Sequence, residues 1–186
     1  MPAFPELTEP LSDGRVTLRL AAERDIPEVL IAYQDDPQLH RRMAEERPPS
    51  GADLGRRTEQ AGAERLAGKS LTLTVAEPRD DTCRGQLYVG EVDWDNLLAS
   101  LRIWIAPDRR GRGYGRGALA LAGEWLLREA GLERVQIRVE TRNEPMIRAA
   151  SAAGFSWEGV LRGHMRAGGE RLDAAVLSLV RSDLGS

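Results

Sequence analysis

Arg109-Arg110-Gly111-Arg112-Gly113-Tyr114-Gly115-Arg116-Gly117 stands between two apolar runs of different period. Before it, Leu101-Arg102-Ile103-Trp104-Ile105-Ala106 reads as a strand. After it, Ala118-Leu119-Ala120-Leu121-Ala122-Gly123-Glu124-Trp125-Leu126-Leu127 reads as a helix. Glycines let successive backbone N–H groups turn toward one point, and a helix N-terminus aims more of them there. Four arginines against the single Asp108 add positive charge. Strand, Gly/Arg loop and helix together make an arrangement for holding a pyrophosphate or a similar polyanion.

The flanking sequence extends this unit into a domain. Val16-Thr17-Leu18-Arg19-Leu20 alternates as a strand should, and a helix follows from Ile26, with Asp25 as its N-cap and Pro27 in its first turn. Asp35-Asp36-Pro37 breaks that helix. A short helix over 38–47 and an exposed one over 53–67 come next, then strands over 71–76, 86–94 and 100–106. The helix after the loop runs over about 115–129 and stops at Gly131. A strictly alternating strand over 134–140, a helix over 145–153 and two strands over about 155–166 and 172–180 complete the order. The fold class expected is α/β (α+β): a mixed central sheet with flanking helices.

A chain of 186 residues is expected to be one domain, 1–186, with a loose N-terminal arm over 1–12. Its net charge of −3 argues against a general nucleic-acid binder, so the basic loop is a local feature. Cys83 is the single cysteine, which excludes an intrachain disulfide and a cysteine zinc site. His40 and His164 do not make a metal motif. No apolar run approaches the roughly 18–20 residues that span a bilayer. The start, Met1-Pro2-Ala3-Phe4-Pro5-Glu6, shows no basic and apolar leader, so a cytoplasmic protein is expected.

Several anion loops compete for this stretch. A Walker A loop needs Lys and Ser or Thr after its glycines, and neither follows here. A dinucleotide fingerprint can be laid on Gly113, Gly115 and Ala118, but the acidic residue expected about 20 positions on is missing. Arg-Gly alternation in a disordered RNA-binding segment, or a plain structural turn, are the bland readings. The pattern Arg/Gln-x-x-Gly-x-Gly/Ala fits Arg110-Gly111-Arg112-Gly113-Tyr114-Gly115 best. It resembles the acyl-CoA pyrophosphate loop of the GNAT superfamily of N-acetyltransferases. A second segment, Asn143-Glu144-Pro145-Met146-Ile147-Arg148, then Gly154-Phe155, is similar to another signature of that superfamily. The front, Asp13-Gly14-Arg15-Val16-Thr17-Leu18-Arg19-Leu20, and the tail, with Gly154-Phe155, Gly169 and Asp173, resemble its RimJ/RimL-like branch.

The resemblance implies a splayed strand pair in the sheet and acetyl-CoA as co-substrate, with no metal. It implies direct attack of an amine on the thioester, with a protein N-terminus or a small-molecule amine as acceptor and a homodimer as the assembly. The implied cofactor contacts are Ile103, Trp104, Ile105, Arg110, Gly111, Arg112, Gly113, Tyr114, Gly115, Arg116, Asn143 and Arg148. A backbone N–H of the strand holding Ile103, Trp104 and Ile105 is implied to polarise the carbonyl. For Asn143 the residues alone read equally as an N-cap, and for Arg148 as a solvated helix face.

Candidate bases are Glu91, Asp93, Glu140 and His164. Alternation would put Glu91 and Asp93 on one strand face; the bland reading makes these carboxylates solvated and His164 structural. The usual proton-donor positions hold Ala150 and Met146, which donate nothing, and Ser151 is adjacent but would point elsewhere on the helix. A catalytically weak acyl-CoA-binding domain, or a transferase of a larger acyl group such as succinyl, therefore stays open. Trp94 and Trp104 read as core or wall. Asp35, Asp36, Glu45 and Glu46 are expected to form an acidic rim that favours a cationic amine.

Overall fold

A computed structural model describes residues 3–167 and 169–185. Eight strands form one sheet: β1 (Leu11–Ser12), β2 (Thr17–Leu20), β3 (Leu71–Ala76), β4 (Cys83–Asp93), β5 (Leu98–Ile105), β6 (Arg134–Glu140), β7 (Ser156–Ala167) and β8 (Glu170–Val180). Their spatial order is β1-β2-β3-β4-β5-β6-β8-β7. The β5/β6 pair is parallel and the other neighbours are antiparallel. The five α-helices are α1 (Ile26–Asp35), α2 (Leu39–Arg42), α3 (Gly51–Leu66), α4 (Tyr114–Arg128) and α5 (Glu144–Ala152). A parallel pair needs a crossover, and α4 supplies it between β5 and β6.

Local chemistry sets the boundaries. Ser50 and Asp53 form a reciprocal capping box at the start of α3. The Asn143 side chain accepts from Met146 N–H at the start of α5, and Gly154 takes a left-handed φ of 98° just past its end. The segment over 38–47 holds only one helical turn, α2. Asp25 is not the N-cap of α1 in the side-chain sense. Its carboxylate is buried and faces Arg19 and Thr74 instead.

The core lies on both sides of the sheet. On one face, α4 and α5 bury Leu119, Leu126, Leu127 and Phe155 against Leu87, Leu101, Ile137 and Leu177. On the other, Val29, Tyr33, Leu39 and Leu54 of the first helices pack with Cys83 and Trp104. That second layer covers β4 and β5 and leaves the polar side of β6 and the β7–β8 hairpin open. The segment expected as a loose arm over 1–12 is anchored where it is described. Phe4 is 3% exposed and meets the Trp94 ring edge-on at 5.5 Å, and Leu11 and Ser12 pair with β2. The physical reason is apolar: a Phe beside a Trp outweighs the flexibility suggested by nearby prolines and glutamates. No helix among the described residues is long and apolar enough to cross a membrane.

Candidate active site

The parallel pair β5/β6 stays together for four residues, from Leu98↔Arg134 to Leu101↔Ile137. Beyond that point residues 102–105 follow β4, ending at Ile105↔Gly85. Residues 138–140 follow β8, ending at Glu140↔Ala174. A wedge opens between them, and each side presents backbone groups with no partner strand among the described residues. Ile103 and Ile105 are half-buried against the α4 side of the core, while the Trp104 ring is buried against Tyr33. Only the backbone of Trp104 therefore faces the wedge.

The Gly/Arg loop stands at the end of β5. A 3-10 turn over Pro107–Arg109 leads into it, and Gly111 and Gly113 take φ of 72° and 87°. Those left-handed positions favour glycine. Among the described residues the N–H groups of residues 111–116 have no backbone acceptor, whereas Gly117 N–H closes on Gly113 O at 2.9 Å. Free N–H groups converging at a helix N-terminus form an anion cradle.

The side chains brace this loop more than they charge it. Arg110 donates to Ile105 O at 3.0 Å and to Asp36 at 2.5 Å. Arg109 pairs with Asp108 at 3.1 Å and Glu77 at 3.7 Å. The Tyr114 hydroxyl donates to Glu77 at 2.5 Å, which turns its ring into the core. Burial pushes the Tyr114 phenol up, and the Glu77 carboxylate raises it further. Arg112 and Arg116 enter no ion pair among the described residues. Arg15, from the β1–β2 turn, donates to Arg112 O at 3.1 Å and brings a further cation to the loop. Close approach of that turn requires Gly117, where a Cβ would sit 2.8 Å from Asp13 and 2.9 Å from Val16.

Across the wedge, α5 holds the second signature. Asn143 Oδ1 is the N-cap acceptor at 3.3 Å from Met146 N. Arg148 pairs with Glu144 at 3.0 Å on an exposed face. Ala150 is fully buried, Met146 packs partly against the core and Ser151 is exposed.

A polar cluster lies at the vertex of the wedge, on the side away from α4. A bulge between Gly90 and Asp93 puts Glu91 in the left-handed region at φ 48°. Glu91 thereby accepts from Ser100 Oγ at 3.1 Å and from Arg138, with which it forms an ion pair. Gln136 donates to Ser100 Oγ at 3.2 Å, and His164 Nε2 lies 3.3 Å from Arg138 Nη1. Burial alone would push the Glu91 carboxyl up, but Arg138 and Ser100 together hold it below the ordinary carboxylate range. Glu140 ends β6, half-buried at the mouth.

The bulge separates the two carboxylates that alternation places together. Asp93 sits at the hairpin turn, where it accepts from Asp95 N, Asn96 N and Asn96 Nδ2 at 2.8–3.0 Å. The structure thus brings Glu91, His164 and the wedge together and leaves Asp93 with its own turn. Arg138, Ser100 and Gln136 escaped the sequence reading. The one signal was that they occupy the polar positions of alternating strands next to the split.

The expected acidic rim is largely neutralised. Asp36 is paired by Arg42 and Arg110, and Glu45 by Arg57 and the Tyr33 hydroxyl. Asp35 and Glu46 remain exposed. The cause is the abundance of arginine, which folding brings to these carboxylates from α2, α3 and the loop. Among the described residues no three or more of His, Cys, Asp and Glu gather as metal ligands would.

An N–H cradle for a pyrophosphate, joined to an open strand pair that can take an extended arm, fits an acyl-CoA. These features define an acyl-CoA-dependent acetyltransferase. A family model described as "Acetyltransferase (GNAT) domain" matches residues 15–156, and the chain belongs to that family. Among curated relatives, "Uncharacterized N-acetyltransferase p20" of Bacillus licheniformis is 23% identical over 175 residues, 94% of this chain and 98% of that protein. Among solved structures, "Mycobacterium smegmatis RimJ in complex with CoA-disulfide" superposes with a TM-score of 0.82 at 21% identity, covering 96% of this chain and 88% of that one. The spermidine N-acetyltransferase of Vibrio cholerae "in complex with CoA and spermine" gives a TM-score of 0.78 at 19% identity, covering 92% and 98%.

Proposed function

We propose that the protein transfers an acetyl group from acetyl-CoA to a primary amine, on a protein N-terminus or a small molecule, by direct attack in a ternary complex. The observation that carries this reading is the β5/β6 wedge ending at the loop of unbonded N–H groups. Acetyl-CoA, when bound, supplies an activated thioester carbonyl. The N–H groups of residues 111–116, with Arg112, Arg116 and Arg15, hold the pyrophosphate. The free backbone edges of residues 102–105 and 138–140 hold the arm as a strand partner would. We assign a backbone N–H of Ile103, Trp104 or Ile105 to polarise the carbonyl, and the free amide of Asn143 to the arm. Glu91 lies on the acceptor side. A carboxylate with a lowered pKa attracts an ammonium better than it removes its proton. We assign that proton to a water relay past His164 and Glu140, and give Asp93 no part in the chemistry. Much of the rate then comes from positioning.

The donor positions filled by Met146 and Ala150 favour a second reading, an acyl-CoA-binding domain with weak or no catalysis. CoA release in the presence of amines separates the two. We place the chain with the RimJ/RimL-like enzymes of the cytoplasm and propose a homodimer. The exposed edge strand β7, with Trp157 51% exposed, supports the pairing. Sedimentation equilibrium checks it, and a monomer at micromolar concentration would refute it.

The cofactor assignment is tested by thermal unfolding with acetyl-CoA, succinyl-CoA, NAD and ATP. A ligand at about 100 times its Kd adds about 2.7 kcal/mol, a shift of roughly 5–10 °C for a chain this size. The CoA thioesters alone should give it. Gly115→Asp should abolish the shift. A Cβ at Gly115 meets only ordinary contacts, at 3.7 and 3.8 Å, and a carboxylate at a helix N-terminus does not destabilise the fold. An undiminished shift in that variant would refute the pyrophosphate site.

A further inference from the structure

The vertex of the wedge carries one acid and one base locked to each other, Glu91 and Arg138. Neither belongs to the core. Arg138 is the first residue of β6 past the last β5 pair, so the ion pair stands where the strands part. Beside it opens a cavity of about 430 Å³ whose lining includes Arg138, Val160, Leu161 and Val176. Val176 is the cross-strand neighbour of Arg138 on β8. Val160 and Leu161 are 45% and 40% exposed, apolar surface that β7 presents to solvent. Glu158, the carboxylate in the cavity's own lining, is already committed to Arg134 and Ser178, and Glu91 adjoins the cavity through Arg138.

Resting on the transferase reading above, we propose that the acceptor is an α-amino acid with an apolar side chain, a zwitterion whose two charges replace those of the Glu91–Arg138 pair. Its ammonium pairs with Glu91 and its carboxylate with the Arg138 guanidinium, which can receive it through two parallel N–H bonds. Its side chain covers Val160, Leu161 and Val176. The exchange conserves charge: each half of the internal pair gains an opposite partner as it gives one up. A dication meets Arg138 with no anion to offset it, and a simple alkylamine leaves Arg138 without a partner. In the transfer, the amine nitrogen forms a bond to the acetyl carbon and the carbon–sulfur bond breaks. Of the two protons the ammonium loses, one ends on the CoA sulfur and one in solvent.

The test is a comparison of kcat/KM for leucine, leucinamide and 1,4-diaminobutane, by CoA release, in wild type, Arg138→Gln and Glu91→Gln. Leucinamide lacks the carboxylate, and its less basic amine leaves a larger fraction in the neutral, attacking form at neutral pH. Leucine should nonetheless exceed both others by tenfold or more in wild type. Arg138→Gln should collapse the leucine-to-leucinamide ratio tenfold or more, while Glu91→Gln should lower both substrates together. Intrinsic amine reactivity cancels in that ratio between variants. A ratio unmoved by Arg138→Gln, or a diamine as the best acceptor, would overturn the proposal.

If no amine releases CoA while acetyl-CoA still raises Tm, the transferase reading fails. The acceptor site is then decided by binding. A further Tm shift with leucine on the CoA complex, absent with leucinamide and lost in Arg138→Gln, would uphold it. No such shift would overturn it.

Discussion

Asp25 is 2% exposed, and both its oxygens are occupied. Oδ1 accepts from Arg19 at 2.7 Å; Oδ2 accepts from Arg19 at 2.9 Å, Thr74 at 2.7 Å and Ala22 N at 3.0 Å. Burial pushes this carboxyl up, and Arg19, Thr74 and Ala22 more than offset it, holding it below the ordinary range. Arg19 also reaches Asp81 at 2.7 Å, so one guanidinium ties β2 to α1 and to the β3–β4 turn. Asp25→Ala leaves a buried cation without its main partner, at a cost of about 3–5 kcal/mol. Thermal unfolding should show a fall in Tm of roughly 6–20 °C. A loss below about 1 kcal/mol would mean that Asp81 alone suffices. The importance of Asp25 was legible in the sequence, but its role was not. A helix N-cap is a local pattern, whereas Arg19 and Thr74 reach it from strands that only the folded sheet brings near.

At the scale of elements, the loop and the end of α1 act as one unit. Asp36 is the C-cap residue of α1, and it accepts from Arg110 at 2.5 Å while also holding Arg42. Burial pushes its carboxyl up, and Arg110 and Arg42 bring it below the ordinary range. Arg110 is thereby held against both Asp36 and Ile105 O, which fixes the loop to the end of β5. Asp36→Ala should release Arg110 and weaken acetyl-CoA binding by roughly three- to tenfold, about 0.7–1.4 kcal/mol. Calorimetric titration checks this. Unchanged affinity would show that Gly111 and Gly113 hold the cradle unaided. The strand–loop–helix unit itself was plain in the sequence, because glycine spacing and the change of period are local. That Arg110 faces Asp36 was not.

Across the whole molecule, carboxyls with depressed pKa values are spread from Asp25 to Glu158, which Arg134 and Ser178 hold down to about 2. A folded pKa below the unfolded value of about 4 means stability that is fully present above that value. It is lost as pH falls through the folded values. Melts should therefore give a level Tm from about pH 7 to 5 and a progressive fall from about pH 4 to 2. A Tm that rises on acidification would contradict the set. Cys83 stays out of this balance: burial pushes its thiol up to about 12, so it should resist alkylation until the chain unfolds.

The sequence by itself determined the α/β class, the order of strands and helices from residue 16 onward, the Gly/Arg loop and the helix that follows it. Each rests on period, glycine spacing and capping residues that act over a few positions. The bulge at Glu91 lay outside that reach, since alternation carries Glu91 and Asp93 on one face and nothing local marks the shift. Only the tertiary structure decided where β5 and β6 part, and that Arg138 meets Glu91 there. It alone decided that the acidic rim is spoken for by arginines, and that Phe4 anchors the N-terminal segment. Those are contacts between residues far apart in the chain, and their energies exist only once the sheet has assembled.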